Sequence, residues 1–564
     1  MTWRIWKKRR LRGSEVFPED IFLDSKNLPA FNTQQFEGRI EQPIKKNSVV
    51  MLGGFVVFIG IVFIFRLGNL QIVHGDAYFE RSEDNRYNQL PIFAERGVIY
   101  DRNGIELVWN RRDEGEEVPT RAYTRDAGFS HILGYVSYPK KDRSGFYWQE
   151  EFIGQSGVEK EYDELLEGVN GEELIERDVF GNPSSESNII SPVSGSNIYL
   201  TVDAKVQNEM HKAIAALAES AGYDGGAGVM IDITNGEVIA MTSYPEYDAE
   251  ALSLGKNTSL IGGYRHDSRK PYLNRTIAGI YTPGSIVKPF LALGALTEGV
   301  IDPEKEILST GSIVLQSPYD PDITYTYKDN KAHGWVDMRR ALAVSSNVYF
   351  YEIGGGYQDQ KGLGISNIGK YTGLFDLDGP AGIEIDGEKT GVIPSPEWKA
   401  KNFKGDIWRI GDTYNTAIGQ YGFQTTPLAM ARSIGAVANG GTLVTPHLLK
   451  DDSDAYTAIT IPDVSAESYD VVQEGMRMVV TEGSGQALNY LPFNIAAKSG
   501  TAQVGISKRY VNAWLIGFFP YENPKYAFAF LMEHGPGGEA VVGASRAALP
   551  FLTWLGENAP QYTK

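Results

Sequence analysis

The chain has 564 residues, 42% of them hydrophobic, with no cysteine and a formal net charge of −18. That length exceeds one ordinary domain, the apolar fraction is that of a globular protein, and without cysteine there is neither a disulfide framework nor a thiolate metal site. The charge is unevenly divided: residues 1–48 carry a net +4 and the remainder a net −22, an acidic body that argues against nucleic acid as a partner.

Val49 to Phe65 holds no charged or strongly polar side chain. As a helix it spans about 25 Å. Leu67, Leu70 and Ile72 extend its apolar surface, while Lys46 and Arg66 can snorkel. Its glycines (Gly53, Gly54, Gly60) and unrelieved apolarity do not suit a buried core helix. It starts far from Met1 and no small-residue cleavage site follows, so it is no cleavable signal peptide. Arg4, Lys7, Lys8, Arg9, Arg10 and Arg12, with Lys45 and Lys46, lie on its N-terminal side. The positive-inside rule therefore predicts a cytoplasmic tail over 1–48, a single-pass signal anchor over 49–70 and an outer part beyond it.

The outer part reads as two blocks. The first, residues 71–195, is rich in charge and turn residues. Asn103-Gly104 lies between β-prone runs in the segment Arg96 to Gly104 and predicts a hairpin. Gly157 to Leu166 is helix-like. Nothing here looks catalytic, and its Asp and Arg residues are expected to hold turns and ion pairs.

The second block, residues 196–564, opens with a strand-like Asn197 to Val202 and a helical period from Ala204 to about Ala218. Gly228–Ile233 and Glu237–Met241 flank Thr234-Asn235-Gly236, a second hairpin. Asn512–Phe519 and Tyr526–Met532 form a further strand pair near the C-terminus. Strand pairs at both ends with helical segments between them predict one central antiparallel sheet flanked by helices, an α/β (α+β) domain.

Three short motifs in this block carry chemistry. Thr282-Pro283-Gly284 is a breaker cluster, and the apolar run Ile286 to Leu296 predicts a helix starting at Ser285. Residues at i and i+3 share a helix face, so Lys288 can act as base for Ser285. A serine at a helix start also meets free N–H groups that favour developing negative charge. Read alone, Ser285 would be an N-cap, which leaves the other two motifs unexplained. Ser345-Ser346-Asn347 lies inside the apolar run Leu342 to Phe350, where polar groups must be hydrogen-bonded or functional. Ser345 could relay a proton, and the Asn347 amide could hold a peptide carbonyl or the lysine, or the pair could cap a helix end. Lys498-Ser499-Gly500-Thr501, flanked by alanines, suits an edge strand on which an extended substrate pairs. Gly500 leaves room for close approach, Lys498 supplies positive charge, and Ser499 and Thr501 can bind a carboxylate. Acting as base requires a partly neutral Lys288, and burial with a nearby Lys498 would lower its pKa.

Ser-x-x-Lys, Ser-x-Asn and Lys-Ser-Gly-Thr in this order resemble the signature motifs of penicillin-binding proteins and serine β-lactamases. The resemblance extends through Asn274 to Ser285, and to Arg96–Gly104 and Gly154–Tyr162 in the first block. Anchor, pedestal and transpeptidase domain together resemble a class B penicillin-binding protein. Gly411 to Gln420 and Pro394 to Lys399 look like the elongation-type subgroup, penicillin-binding protein 2. The resemblance implies a penicillin-binding/β-lactamase-like transpeptidase domain over 196–564 and a β-rich pedestal (dimerisation-type) domain over 71–195, anchored in the bacterial cytoplasmic membrane. It implies that Ser285 attacks the penultimate D-Ala carbonyl of a peptidoglycan stem peptide, with Lys288, Ser345, Asn347 and Lys498 as catalytic partners and Ser499, Gly500 and Thr501 binding substrate. An amine of a neighbouring stem would resolve the acyl-enzyme into a 4→3 crosslink, backbone N–H groups of Ser285 and Thr501 would form the oxyanion hole, and β-lactams would acylate the same serine. No cofactor or metal is implied. Implied partners are the lipid II-derived glycan and its stem peptides, a multi-pass glycan polymerase of the elongation machinery, and associated scaffold proteins.

Two departures stand out. Between Asn110 and about Phe129 the chain is much shorter than in typical relatives, which removes most of the pedestal's head. Some relatives carry Asp and Cys near the second motif and a possible zinc site. Here His333 with Asp320, Asp322 and Asp329 reads as a solvated loop rather than a metal site. A silent scaffold would need none of the three motifs, a β-lactam sensor would need further spans, and a β-lactamase would need a base for water that no motif identifies.

Overall fold

The computed structural model describes residues 46–73, 87–143, 145–176, 188–317, 320, 322–450, 457–505, 509–538 and 541–564. The N-terminal basic cluster and nearly all of the expected cytoplasmic tail lie outside the described residues. The chain divides into two units, residues 1–88 with 177–182 and residues 89–176 with 183–564. In the first, helix α1 (Lys46–Gly68) presents Met51, Phe55, Phe58, Phe63 and Phe65 to its surroundings, all exposed. Its segment Val50–Gly68 is long and apolar enough to cross a membrane. So much bare apolar surface is stable only against another apolar phase.

The second unit begins with a small sheet made of β1 (Ile99–Tyr100), β2 (Glu106–Arg111), β3 (Thr120–Tyr123) and β4 (Ile198–Tyr199), in the order β4-β1-β2-β3. The predicted Asn103-Gly104 turn joins β1 to β2. Gly104 takes φ +85°, a conformation disfavoured for other residues, and the Asp101 carboxylate accepts the amides of Asn103 and Ile105, each at 2.8 Å. Residues 112–119, in the interval expected to be short, join β2 directly to its antiparallel neighbour β3. The strand-like run expected at Asn197–Val202 is reduced to β4, which pairs in parallel with β1 rather than with the large sheet.

Helix α2 (Gly157–Glu161) stops at Tyr162, and a separate turn Asp163–Leu166 follows, so the expected helical stretch is two pieces. It carries the buried ion cluster of this region. Glu159 is fully buried, with Arg96 Nε on one carboxylate oxygen at 2.6 Å and Arg121 Nε on the other at 2.8 Å. Arg96 also pairs with Asp163 at 2.6 Å. Helix α3 (Ala204–Ala221) then starts on the Asp203 N-cap. The Asp101 turn is fastened to that start: Asp101 accepts the Ala204 amide at 3.1 Å, and Asn103 donates to Asp203 at 3.0 Å.

The large sheet has the expected antiparallel form. β5 (Gly225–Asp232) and β6 (Val238–Tyr244) are the early hairpin, β7 (Ser312–Gln316) and β8 (Thr324–Lys328) are a separate hairpin, and β9 (Ala496–Val504), β10 (Tyr510–Phe519) and β11 (Tyr526–Pro536) come late. The sheet order is β6-β5-β11-β10-β9, which leaves β9 at an edge. Alternation along β11 sends Ala527, Ala529 and Leu531 to one core and Phe528, Phe530 and Met532 to the other. The first core holds α4 (Lys288–Thr297), α5 (Met338–Val344), α6 (Asn347–Gly355), α7 (Ile410–Ala417), α8 (Pro427–Ala438) and α9 (Ala466–Thr481). The second core is covered by α3 and α10 (Ser545–Asn558).

Glu159→Ala strands two buried guanidinium groups. The expected loss is about 3–5 kcal/mol of unfolding free energy, read as a lower denaturant midpoint, with Glu159→Gln losing less because it keeps an acceptor.

Candidate active site

Gly284–Val287 is a 3-10 turn that leads directly into α4, so the helix predicted from Ser285 begins one turn later than expected. Gly284 has φ +61°, and its amide donates to Gly419 O at 3.0 Å. The turn lies hard against edge strand β9. A side chain at Gly500 would come within 2.8 Å of Ile286 Cγ2 and 2.9 Å of Pro283 O, and one at Gly284 within 2.9 Å of Thr501 O. These two glycines allow the first and third motifs to touch. Trp514 on β10 secures the approach, its indole N–H donating to Thr282 O at 3.0 Å.

Alternation along β9 buries Lys498, Gly500 and Ala502, while Ser499, Thr501 and Gln503 line the more open face. The Lys498 ammonium donates to Ser345 Oγ and to Ser499 O, both at 2.9 Å. Ser499 Oγ is 2.8 Å from Ser484 Oγ, a partner that no motif pointed to.

The second motif is the junction of two helices. Ser345 ends α5 in the left-handed region at φ +57°, and Ser346 is the N-cap of α6. A non-glycine residue held there persists only where its surroundings impose it. Asp329, immediately after β8, imposes it. Its carboxylate accepts the Asn347 amide at 2.9 Å, the Val348 amide at 3.0 Å, Ser346 Oγ at 2.7 Å and Ser309 Oγ at 3.1 Å. Asp329 is therefore a buried cap and not the solvated loop residue expected. Burial pushes its carboxyl up, but the hydrogen bonds from Asn347, Val348 and Ser346 outweigh it and hold the pKa below the usual range. His333 Nε2 lies 3.8 Å from Asp329 and 2.7 Å from Asn330 Oδ1. Among the described residues no three His, Asp or Glu side chains are grouped to hold a metal ion.

Lys288 is fully buried. Its Nζ lies 2.8 Å from Ser345 O and from Asn347 Oδ1, 3.3 Å from Ser346 O and 3.4 Å from Ser345 Oγ. It also lies 5.2 Å from the centre of the Phe350 ring. Among the described residues no hydrogen bond joins it to Ser285; the i, i+3 spacing places both on one turn, and the amine reaches on to the oxygens of the helix junction. Burial, and then the charge of Lys498, push Lys288 well below the ordinary lysine range, with Asp329 pulling the other way. Burial brings Lys498 down to about 7. The sequence motifs thus meet in space: the Ser285 turn abuts β9, and both lysines converge on Ser345. The capping role of Asp329, the contacts of Ser484 and Phe350, and the contact of Gly284 with Gly419 were not read from the sequence, because each acts through a neighbour remote in the chain.

The chain matches the "Penicillin binding protein transpeptidase domain" over residues 226–549 and the "Penicillin-binding Protein dimerisation domain" over residues 114–200. It is 29% identical to the peptidoglycan D,D-transpeptidase MrdA of Escherichia coli K12, covering 91% of this chain and 95% of that one. It resembles the crystal structure of Pseudomonas aeruginosa PBP2 in complex with WCK 5153, with a TM-score of 0.67 and 29% identity, covering 84% of this chain and 98% of that one. In fold it also resembles Helicobacter pylori PBP2 from a complex with MreC, with a TM-score of 0.68 and 24% identity over 84% of this chain and 99% of that one.

Asp329→Ala removes the acceptor of two amides and two hydroxyls. Unfolding free energy should fall by about 1–3 kcal/mol, with a smaller fall in Asp329→Asn, measured by denaturant titration. Lys498 supplies a pH signature. From about pH 7 to the ordinary lysine value of 10.5 the unfolded chain binds a proton that the folded chain does not, so folded stability rises with pH across that window. The melting-temperature advantage of Lys498→Met over wild type should therefore be largest near pH 7 and shrink steadily toward pH 10.

Proposed function

The chain belongs to the penicillin-binding protein transpeptidase family, and from that membership we propose that it is a membrane-anchored peptidoglycan D,D-transpeptidase that crosslinks stem peptides during cell-wall elongation and shape maintenance. The observation that carries this reading is the convergence of Lys288 and Lys498 on Ser345 beside a Ser285 turn packed on an edge strand.

In this reading Ser285 Oγ attacks the penultimate D-Ala carbonyl carbon while its proton passes to neutral Lys288. The lowered Lys288 pKa supports that role, since only an unprotonated amine accepts a proton. Backbone N–H groups of Ser285 and Thr501 hold the oxyanion of the tetrahedral intermediate. The C–N bond to the terminal D-Ala then breaks, and the leaving amine takes the proton by way of Ser345, which lies between the two lysines. Ser499 and Thr501 bind the terminal carboxylate near Lys498, and the Asn347 amide holds Lys288 and a substrate carbonyl. An amine from a neighbouring stem attacks the ester, its proton returns by the same route, and Ser285 leaves with its hydroxyl restored. A β-lactam is attacked at its ring carbonyl in the same way, and the leaving nitrogen stays tethered.

The apolar helix Val50–Gly68 supports a single-pass anchor. We assign residues 1–48 to the cytoplasm, 49–70 to the membrane, 71–195 to the pedestal and 196–564 to a transpeptidase domain outside the membrane. The orientation rests on the basic cluster at the N-terminus. Glycan polymerisation is assigned to a multi-pass partner. The presence of MreC with the H. pylori protein supports a scaffold partner.

The test is acylation of the full chain in detergent by a labelled penicillin, with intact-mass measurement and peptide mapping. One adduct on Ser285, absent from Ser285→Ala, is the expected result. A folded chain that takes no label, or takes it elsewhere, overturns the assignment.

A further inference from the structure

Beyond Thr501 the edge strand runs into a cavity of about 350 Å³ that the mechanism above does not use. Its floor is the segment Tyr281–Thr282, which leads straight into the Ser285 turn. That segment is clamped by paired backbone hydrogen bonds, Tyr281 N to Thr425 O at 2.9 Å and Thr425 N to Tyr281 O at 3.0 Å. Its far wall is Tyr421, stacked on Phe403 with ring centres 6.1 Å apart and met edge-on by Trp398 at 5.9 Å and Trp408 at 5.8 Å. Gly422 lies against the same indole: a side chain there would come within 2.3 Å of Trp398. The wall is therefore a packed aromatic block.

The chemistry of the lining is uniform. Gln420, Gln424, Gln503 and Asn512 all border the cavity, and among the described residues no lining residue is charged. Among the described residues the three glutamine side chains make no hydrogen bond to protein, and Asn512 uses only its oxygen, which accepts the His534 amide at 3.0 Å. Four amides in one small cavity offer donors and acceptors together and no net charge. Such a site satisfies a group that both donates and accepts, and it does not compensate the desolvation of a lone charge.

Strand geometry says which part of a substrate arrives there. Ser499, Thr501 and Gln503 share one face of β9, so a chain extended along this edge passes the two hydroxyl residues and then the amide pocket, about 3.3 Å per residue. The leaving carboxylate belongs at the cationic end, by Lys498 and Ser499. The amide-lined end is left for the donor segment upstream of the acylated alanine.

Resting on the transpeptidase reading, we propose that this cavity is a specificity subsite for the donor stem, taking the side chain next upstream of the acylated D-Ala, and that it selects a long side chain ending in a polar group of zero net charge, such as a carboxamide.

The test uses the full chain in detergent and four synthetic thioester donors. They are identical except that the upstream side chain ends in a carboxamide, an ammonium, a carboxylate or a methyl group. The rate of acyl-enzyme formation on Ser285 at limiting donor is read by mass. Wild type should favour the carboxamide donor over each of the others by about tenfold or more, because a site built to hydrogen-bond rejects the analogue that leaves its amides unpaired. In Gln424→Leu/Gln503→Leu the preference should fall to within about threefold. The ratio is internal to each variant, so a general loss of activity or folding cancels. Equal rates for all four donors in wild type, or a preference unchanged in the double variant, would overturn the subsite. Failure of a labelled penicillin to acylate wild-type Ser285 would instead overturn the reaction on which it rests.

Discussion

Two lysine amines buried beside one serine hydroxyl are the constraint around which the rest of this structure is arranged. Lys288 and Lys498 are both without solvent exposure and share the Ser345 hydroxyl. Two full charges so placed would repel at low dielectric and lose their hydration as well. Burial therefore drives both toward the neutral form, Lys498 to about 7 and Lys288 well below its usual range. What would be a liability in an inert core is what makes an amine useful as a base at neutral pH.

Holding that arrangement takes rigid surroundings. Ser345 adopts a left-handed conformation between two helices, and the junction is fixed by Asp329, a carboxylate from a different hairpin. Four oxygens from the junction surround the Lys288 amine and balance part of the desolvation. The Ser285 turn is placed by contact rather than by hydrogen bonds from its own side chain. Glycines at 284 and 500 let the turn and β9 approach until backbone meets backbone. The pedestal region is tied to the same body through the Asp101 turn at the start of α3, and its own centre is the Arg96–Glu159–Arg121 cluster.

Much of this was legible in the sequence because it is local. Asn103-Gly104 and Thr234-Asn235-Gly236 marked the two hairpins, and the 3.6-residue period marked α3. The run of small residues around Lys498 marked an edge strand, which β9 is. Asp329 was misread as a solvated loop residue, since an Asp in a polar stretch looks the same whether it faces water or caps a helix eighteen positions on. The strand expected at 197–202 contributes only two residues, and they join the pedestal sheet, because pairing partners are chosen by proximity in the fold and not by propensity.

By itself the sequence determined which chemical groups are available and in what order: a serine with a lysine one turn on, a Ser-x-Asn, a lysine on a strand, and one apolar span. Residue type, helical spacing and hydropathy are properties of short stretches, so no fold is needed to read them. The tertiary structure alone decided that Lys288 hydrogen-bonds Ser345 and Asn347, that Lys498 comes within 2.9 Å of the same Ser345 hydroxyl, and that an amide-lined pocket continues the edge strand. Each of those facts depends on packing between segments tens to hundreds of residues apart, and burial, which sets the lysine pKa values, exists only once those segments have closed on one another.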